Sequence, residues 1–275
     1  MSRQTRVIAA AVMAPVVILG VLYLPSEFLA AAVAGLMMLA LWEWTLLAGL
    51  RNPLWRAAYL IGNAVLMAAL VWAGGRGLFT LKLVSLLGCV WWWLVPLWLM
   101  RFGFASGDNG GARALKLFAG SISIIPAWAA LCWLHAAGPN GPAWALFALL
   151  IVWAADSGAY FVGVRFGKRK LAPRISPGKS WEGVFGGLLT TLLLAAAASP
   201  VLGLSWNLLP TLLLLTAITA AFSVVGDLFE SLLKRHAGIK DSSDLIPGHG
   251  GMLDRVDSLL AALPIFVVGK EWLGI

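Results

Sequence analysis

An all-α integral membrane protein with about nine membrane-spanning helices is the fold class this sequence predicts, because apolar runs of about 20 residues, enough to cross a bilayer core, recur along its length. Two further observations agree. Hydrophobic residues make up 61% of the 275 and charged residues only 12%, whereas a soluble domain carries about 25% charged residues. Lysine and arginine are also concentrated in alternate connecting segments, as the positive-inside rule leads one to expect of a chain that threads a membrane.

Taken in order, the spans fall near residues 7–24, 28–50, 54–74, 81–100, 115–137, 142–164, 183–204, 207–229 and 256–275. The first run lacks a small-residue cleavage signature before the second begins, so it reads as a retained helix and not as a cleaved signal peptide. Arg3 and Arg6 precede it, Arg51 and Arg56 mark the second connection, and Arg101, Arg113 and Lys116 mark the fourth. A dense group from Arg165 to Lys179 follows the sixth span, and Lys234, Arg235, Lys240 and Arg255 follow the eighth. Of the 20 lysines and arginines, only Arg76, Lys82 and Lys270 fall on the opposite side. The N-terminus and both long polar segments, 165–182 and 230–257, are therefore expected in the cytoplasm, with the C-terminus outside, consistent with a bacterial inner membrane.

The net charge of +8 thus follows the membrane and gives no reason to expect a nucleic-acid partner. Cys89 and Cys132 lie inside spans without metal-site spacing and read as buried apolar residues. Tryptophans such as Trp42, Trp44, Trp91 to Trp93, Trp98, Trp181 and Trp272 sit near span ends, where they read as interfacial anchors or lipid-facing bulk. No repeat, low-complexity tract or linker divides the chain, so residues 1–275 form one polytopic domain. Within it, 1–155 is mainly scaffold and 156–257 is the catalytic region.

That division rests on the acids. Of twelve Asp and Glu residues, eight fall between Asp156 and Asp257, while the first 155 residues hold only Glu27, Glu43 and Asp108. Asp156 lies inside the sixth span, and an ionisable residue there is a functional candidate by default. Glu43, in the second span, is expected to have at most a structural effect. Asp227 and Glu230 share a helix face at the expected end of the eighth span, where carboxylates oppose the helix dipole and call for a lysine such as Lys234 or a metal. Asp254 and Asp257 are likewise three apart as the ninth helix begins.

Around these acids lie groups suited to phosphate. Gly248, His249, Gly250 and Gly251 form a glycine-rich turn whose backbone N–H groups are candidates for an anion cradle. Hard carboxylate oxygens beside such a cradle suit Mg²⁺, which binds one or two carboxylates together with substrate phosphates. Ser176, Lys179 and Ser180, in the preceding polar segment, add hydroxyls and an ammonium. That segment is not a Walker A loop, since the required earlier glycine falls on Pro173. Taken singly these features are common in turns, helix starts and lipid-facing basic loops. Together on one face of the membrane they point to a site.

The run Ser231-Leu-Leu-Lys234-Arg235, Lys240-Asp241, then Pro247-Gly-His249-Gly250-Gly251-Met-Leu-Asp254-Arg255-Val-Asp257 resembles, without interruption, the signature of the phosphatidate cytidylyltransferase (CDP-diacylglycerol synthase) family. The segments from Ser176 to Gly183 and from Gly226 to Ser231, and Asp156 in its span, are also similar to that family. The resemblance implies that CTP and phosphatidic acid give CDP-diacylglycerol and pyrophosphate with Mg²⁺ as cofactor. It assigns Asp227, Asp254, Asp156 and Asp257 to the metal. Lys179, Lys234, Arg235, Lys240 and Arg255 become candidates for phosphates, with Asp241 in the catalytic run and His249, Gly250 and Gly251 at the triphosphate. Membrane lipids are the implied surroundings, and a homodimer is left open. Two other classes compete: a CTP-dependent kinase of a polyprenol-type lipid, and a secondary transporter. Against transport, the acids gather at one membrane face and not at the midplane, and no inverted repeat is visible.

Overall fold

The computed structural model describes the backbone of residues 3–73, 78–245 and 250–275, and the side chains of these residues except 3–12 and 73. Among the described residues the helices are α1 (Arg3–Tyr23), α2 (Ser26–Leu47), α3 (Pro53–Ala73), α4 (Phe79–Leu99), α5 (Gly110–Ala136), α6 (Gly141–Phe166), α7 (Trp181–Ala198), α8 (Leu209–Ala237) and α9 (Leu253–Leu273). Seven of them, α2 to α8, are long and apolar enough to cross a membrane. The chain is an all-α membrane protein with one small exception. Between α6 and α7, β1 (Lys170–Ala172) and β2 (Ser176–Ser180) form an antiparallel hairpin within the segment expected to be a loop.

Local chemistry explains the helix ends. Asn109 accepts a hydrogen bond from the Ala112 N–H at 2.7 Å and starts α5, and Ser180 does the same for Gly183 at 3.2 Å to start α7. Helix α8 ends at Gly238, whose φ of +72° is open to glycine without strain. Its length corrects the sequence expectation. The eighth helix runs to Ala237 and not to 229, so Asp227 and Glu230 lie two turns inside it and do not oppose its terminal dipole. The last turn instead holds Lys234, Arg235 and His236, the sign that a C-terminus favours.

Helices α5 and α9 form the interior. The residues of α9 from Leu260 to Val268 are buried without a break, although its ends carry Asp254, Arg255, Asp257, Lys270 and Glu271. Phe229 on α8 sits fully buried among Trp44, Trp91, Trp92 and Trp98, with ring centroids 5.2 to 6.1 Å apart. Trp44, Trp92 and Trp98 are therefore core residues and not interfacial anchors. Trp44 can be buried because its Nε1–H donates to the Lys116 carbonyl at 2.7 Å. Trp93, Trp181 and Trp272 remain exposed on the apolar surface. Cys132 is buried and Cys89 partly buried, both as free thiols.

Helices α6 and α7 pack backbone to backbone through glycines. A Cβ on Gly187 would lie 2.6 Å from the Ala155 carbonyl oxygen, and one on Gly158 would lie 2.8 Å from that of Gly186. Small residues permit this approach where lipid supplies no hydrophobic drive between helices. Beside this seam, α6, α7, α8 and β2 enclose a cavity of about 560 Å³.

Candidate active site

The cavity has apolar walls and a charged floor. Ala155, Ala159, Val164, Val184, Leu188, Ala217 and Ala221 contribute to the walls, and Asp156, Lys179 and Asp227 are the charged residues among its lining. Three elements deliver those charges: α6 carries Asp156, the strand before α7 carries Lys179, and α8 carries Asp227. The Lys179 ammonium lies 2.5 Å from Asp227 Oδ2, and the Ser231 hydroxyl donates to Asp227 Oδ1 at 3.2 Å. Burial alone would lower the pKa of Lys179, but Asp227 in contact, with Asp156 and Asp257 nearby, holds it above the ordinary lysine value. It stays an ammonium throughout the neutral range.

Asp257 reaches the same region from α9 because α8 and α9 nearly touch. A Cβ on Gly226 would stand 2.5 Å from the Asp257 carbonyl oxygen, so the residue before Asp227 has to be small. Three carboxylates therefore gather around one lysine. Asp227 and Asp257, with Asp156 beside them, supply hard oxygen donors, and Mg²⁺ needs only one or two of these when phosphates and water complete its shell. Among the described residues no group of three His, Cys, Asp or Glu side chains is drawn together closely enough to hold an ion unaided. The donor set fits an ion that arrives with phosphate.

A second ionic group lies deeper. Lys234 pairs with Glu230 at 2.5 Å and with Asp254 Oδ1 at 2.7 Å, and all three side chains are nearly inaccessible. Among the described residues Lys234 is the one polar partner of the Glu230 carboxylate. Asp254 Oδ2 accepts from the Ser242 N–H at 3.0 Å, the Ser242 hydroxyl at 2.9 Å and the Gly251 N–H at 2.7 Å. With Lys234 on its other oxygen, Asp254 is a structural hub for the segment that precedes α9.

The remaining candidates divide. Ser176, Gly178 and Ser180 line the cavity, and the nearly inaccessible Ser180 hydroxyl also caps α7. Arg235 donates through Nε to the Ile175 carbonyl at 3.1 Å and ties the end of α8 to the hairpin. Lys240, Asp241 and Arg255 are exposed. Gly250 has a φ of +77°, and a Cβ there would stand 2.6 Å from Asp254 Oδ2. The Gly251 N–H, expected to be open for phosphate, is already donated to Asp254. Gly248 and His249 lie outside the described residues.

Glu43, expected to have at most a structural effect, makes contacts that its place in the sequence does not show. Glu43 on α2 is fully buried and accepts from the Ser242 and Ser243 hydroxyls and the Met252 and Leu253 N–H groups, at 2.5 to 2.9 Å. The signal was available, since an ionisable residue in a span is as much a candidate at 43 as at 156.

The sequence model of the cytidylyltransferase family matches residues 4–271. The chain belongs to that family. Similar members include the phosphatidate cytidylyltransferase of Pseudomonas aeruginosa, 43% identical over 267 residues that cover 96% of this chain and 95% of that one. That of Haemophilus influenzae is 38% identical over 283 residues, covering 96% of each chain. That of Bacillus subtilis is 36% identical over 214 residues, covering 67% of this chain and 78% of that one. The first two alignments extend across the cytidylyltransferase fold from α1 to α9, including the N-terminal helices.

Proposed function

We propose that this chain is a membrane-embedded CTP:phosphatidate cytidylyltransferase. The observation that carries this reading is the end-to-end similarity to two phosphatidate cytidylyltransferases, covering 96% of the chain in each case. The cavity agrees with it, since apolar walls above a floor of one lysine and two carboxylates suit a lipid whose polar end is a phosphate.

In the reaction, a phosphate oxygen of phosphatidic acid attacks the α-phosphorus of CTP. A new P–O bond forms, the bond to the β-phosphate breaks, and pyrophosphate leaves with its electron pair. No general base is needed, because a phosphomonoester with a second pKa near ~6 is largely dianionic at neutral pH. The obstacle is the meeting of two polyanions, so catalysis consists of positioning and charge neutralisation. Lys179 faces the cavity and donates to phosphate oxygens there. Lys240 and Arg255, exposed on the same side, draw the triphosphate in. Asp227 and Asp257, joined by Asp156, would hold Mg²⁺, which when bound supplies a positive charge shared between phosphate oxygens.

The orientation belongs to the same proposal. All nine helices cross the membrane, the N-terminus is cytoplasmic, and the site opens to the cytoplasm. Cysteines placed at exposed Lys170 and Lys240 are expected to react only with cytoplasmic maleimide, and one at Asn140 only with external reagent. Reaction of Lys170→Cys or Lys240→Cys from outside would refute this orientation. Ser242 is unsuitable for such labelling because its hydroxyl is buried between Glu43 and Asp254.

The chemical test uses purified protein in detergent with Mg²⁺, phosphatidic acid and CTP labelled at either the α- or the γ-phosphate. The α-label is expected in lipid and the γ-label in pyrophosphate, and chelation of Mg²⁺ is expected to stop both. Transfer of the γ-label to a lipid alcohol would identify a kinase. No lipid labelling with any acyl form of phosphatidate would leave transport as the surviving class.

A further inference from the structure

We infer that Glu43, in the half of the chain read as scaffold, is a positioning residue for this reaction: its carboxylate clamps residues 242–243 to the start of α9 at residues 252–253, and so sets Asp257 against Asp227. The inference rests on the transferase reading for its kinetic consequence, though the clamp itself does not.

The clamp joins residues some 200 positions apart in sequence. Glu43 Oε1 accepts from the Ser243 hydroxyl at 2.5 Å and the Met252 N–H at 2.9 Å, and Oε2 from the Leu253 N–H at 2.7 Å. Ser242 Oγ lies 2.8 Å from Glu43 Oε2 and 2.9 Å from Asp254 Oδ2, so its single proton serves one carboxylate at a time. Ser243 accepts the Leu245 N–H at 3.1 Å while donating to Glu43, which fixes the direction of that hydroxyl. Among the described residues the Ser243 hydroxyl and the Met252 and Leu253 N–H groups all donate to Glu43, and Ser242 can do so in turn with Asp254, which suits a side chain that only accepts.

Two of those donors are N–H groups at the N-terminus of α9. Such a terminus binds anions, and here Glu43 fills it from within the protein. Gly251 has no space for a side chain, since a Cβ there would stand 2.6 Å from Glu43 Cδ. A continuous line of polar contacts then runs from Glu43 through Ser242 and Asp254 to Lys234 and Glu230 on α8. Helix α8 carries Asp227 one turn earlier, and Gly226 rests on the Asp257 carbonyl. A shift of the α9 start is thereby transmitted to the spacing of the two carboxylates that face the phosphates. Among the described residues none of the hydrogen-bond partners of Glu43 lines the cavity, so its effect runs through this linkage.

Glu43→Gln keeps the shape but turns one acceptor into an NH₂ group that faces another donor. Glu43→Asp keeps both acceptors on a shorter arm. For the full chain in detergent, Glu43→Gln is expected to lower kcat by about 10- to 100-fold, the scale of an ångström-sized misplacement at a reacting centre. The KM for phosphatidic acid is expected to stay within about threefold, because the clamp does not reach the cavity that would bind the lipid. Hydrogen–deuterium exchange is expected to speed up in 242–254 and to remain unchanged in α6 and α7, with Glu43→Asp intermediate in both measurements. Should Glu43→Gln fail to accumulate, Ser242→Ala with Ser243→Ala removes the two hydroxyl donors and is expected to show the same pattern more weakly. Unchanged kcat, a rise in KM without a fall in kcat, or faster exchange spread over all helices would each overturn the inference. A wild-type protein that transfers nothing to phosphatidic acid would count against the transferase reading instead, and the exchange measurement would still test the clamp.

Discussion

Lys179→Met is expected to reduce kcat by about 10²- to 10³-fold, the scale observed when one donor is removed from a preorganised site that stabilises developing charge. Methionine keeps the apolar stem and removes the ammonium. What remains is a cavity floor of Asp156 and Asp227 with Asp257 close by, three acids that now repel an incoming phosphate. Asp227 Oδ2 also loses the partner it has at 2.5 Å. Because those acids hold the Lys179 pKa above its ordinary value, the residue is protonated at every pH at which the enzyme would be assayed. Its removal should therefore depress the whole neutral pH–rate profile without displacing it. Initial rates of α-label transfer, measured from pH 6.5 to 8.5, check this. A variant within tenfold of wild type would show that Lys179 only balances Asp227.

Lys234→Met is expected to act on stability first. Glu230 and Asp254 have side-chain exposures of 1% and 8%, and Lys234 neutralises both. Removing one partner of a buried ion pair costs about 3–5 kcal/mol, because the charges left behind cannot regain water. Adding Glu230→Gln deletes one of the stranded charges and is expected to recover part of that loss. It should not recover turnover, since Asp254 still lacks the contact that joins α9 to α8. Chemical denaturation in detergent, followed by tryptophan fluorescence, compares the single and double variants. If Lys234→Met were as stable as wild type, the pair would be solvated and the deeper ionic group would be incidental.

The behaviour of these two lysines was only half visible in the sequence. Lys179 and Asp227 were each candidates, one for phosphate and one for metal. Their contact was not predictable, because it depends on a hairpin that turns Lys179 back towards α8. Lys234 is the cation that the sequence offers to offset an acid, and it does pair with Glu230, four residues away on the same helix. Its second partner is Asp254, which the family resemblance assigns to the metal and which shares a helix face with Asp257 by its spacing of three. Helical spacing places two side chains on one face but says nothing about what each one meets, and here Asp254 meets Lys234, Ser242 and Gly251.

What the sequence determined by itself was whatever follows from local chemistry: the run of apolar helices, the segregation of cations that orders the connections, and the polar signature from Ser231 to Asp257. These are properties of neighbouring residues and of their transfer between water and lipid, so no packing is needed to read them. The tertiary structure decided which acids share a site. Gly226 lets α8 settle on the α9 backbone and brings Asp227 beside Asp257, and Glu43 crosses from α2 to occupy the start of α9. Both results depend on contacts between residues far apart in the chain, where a single missing Cβ or one buried carboxylate sets the geometry, and hydropathy and periodicity carry no record of such contacts.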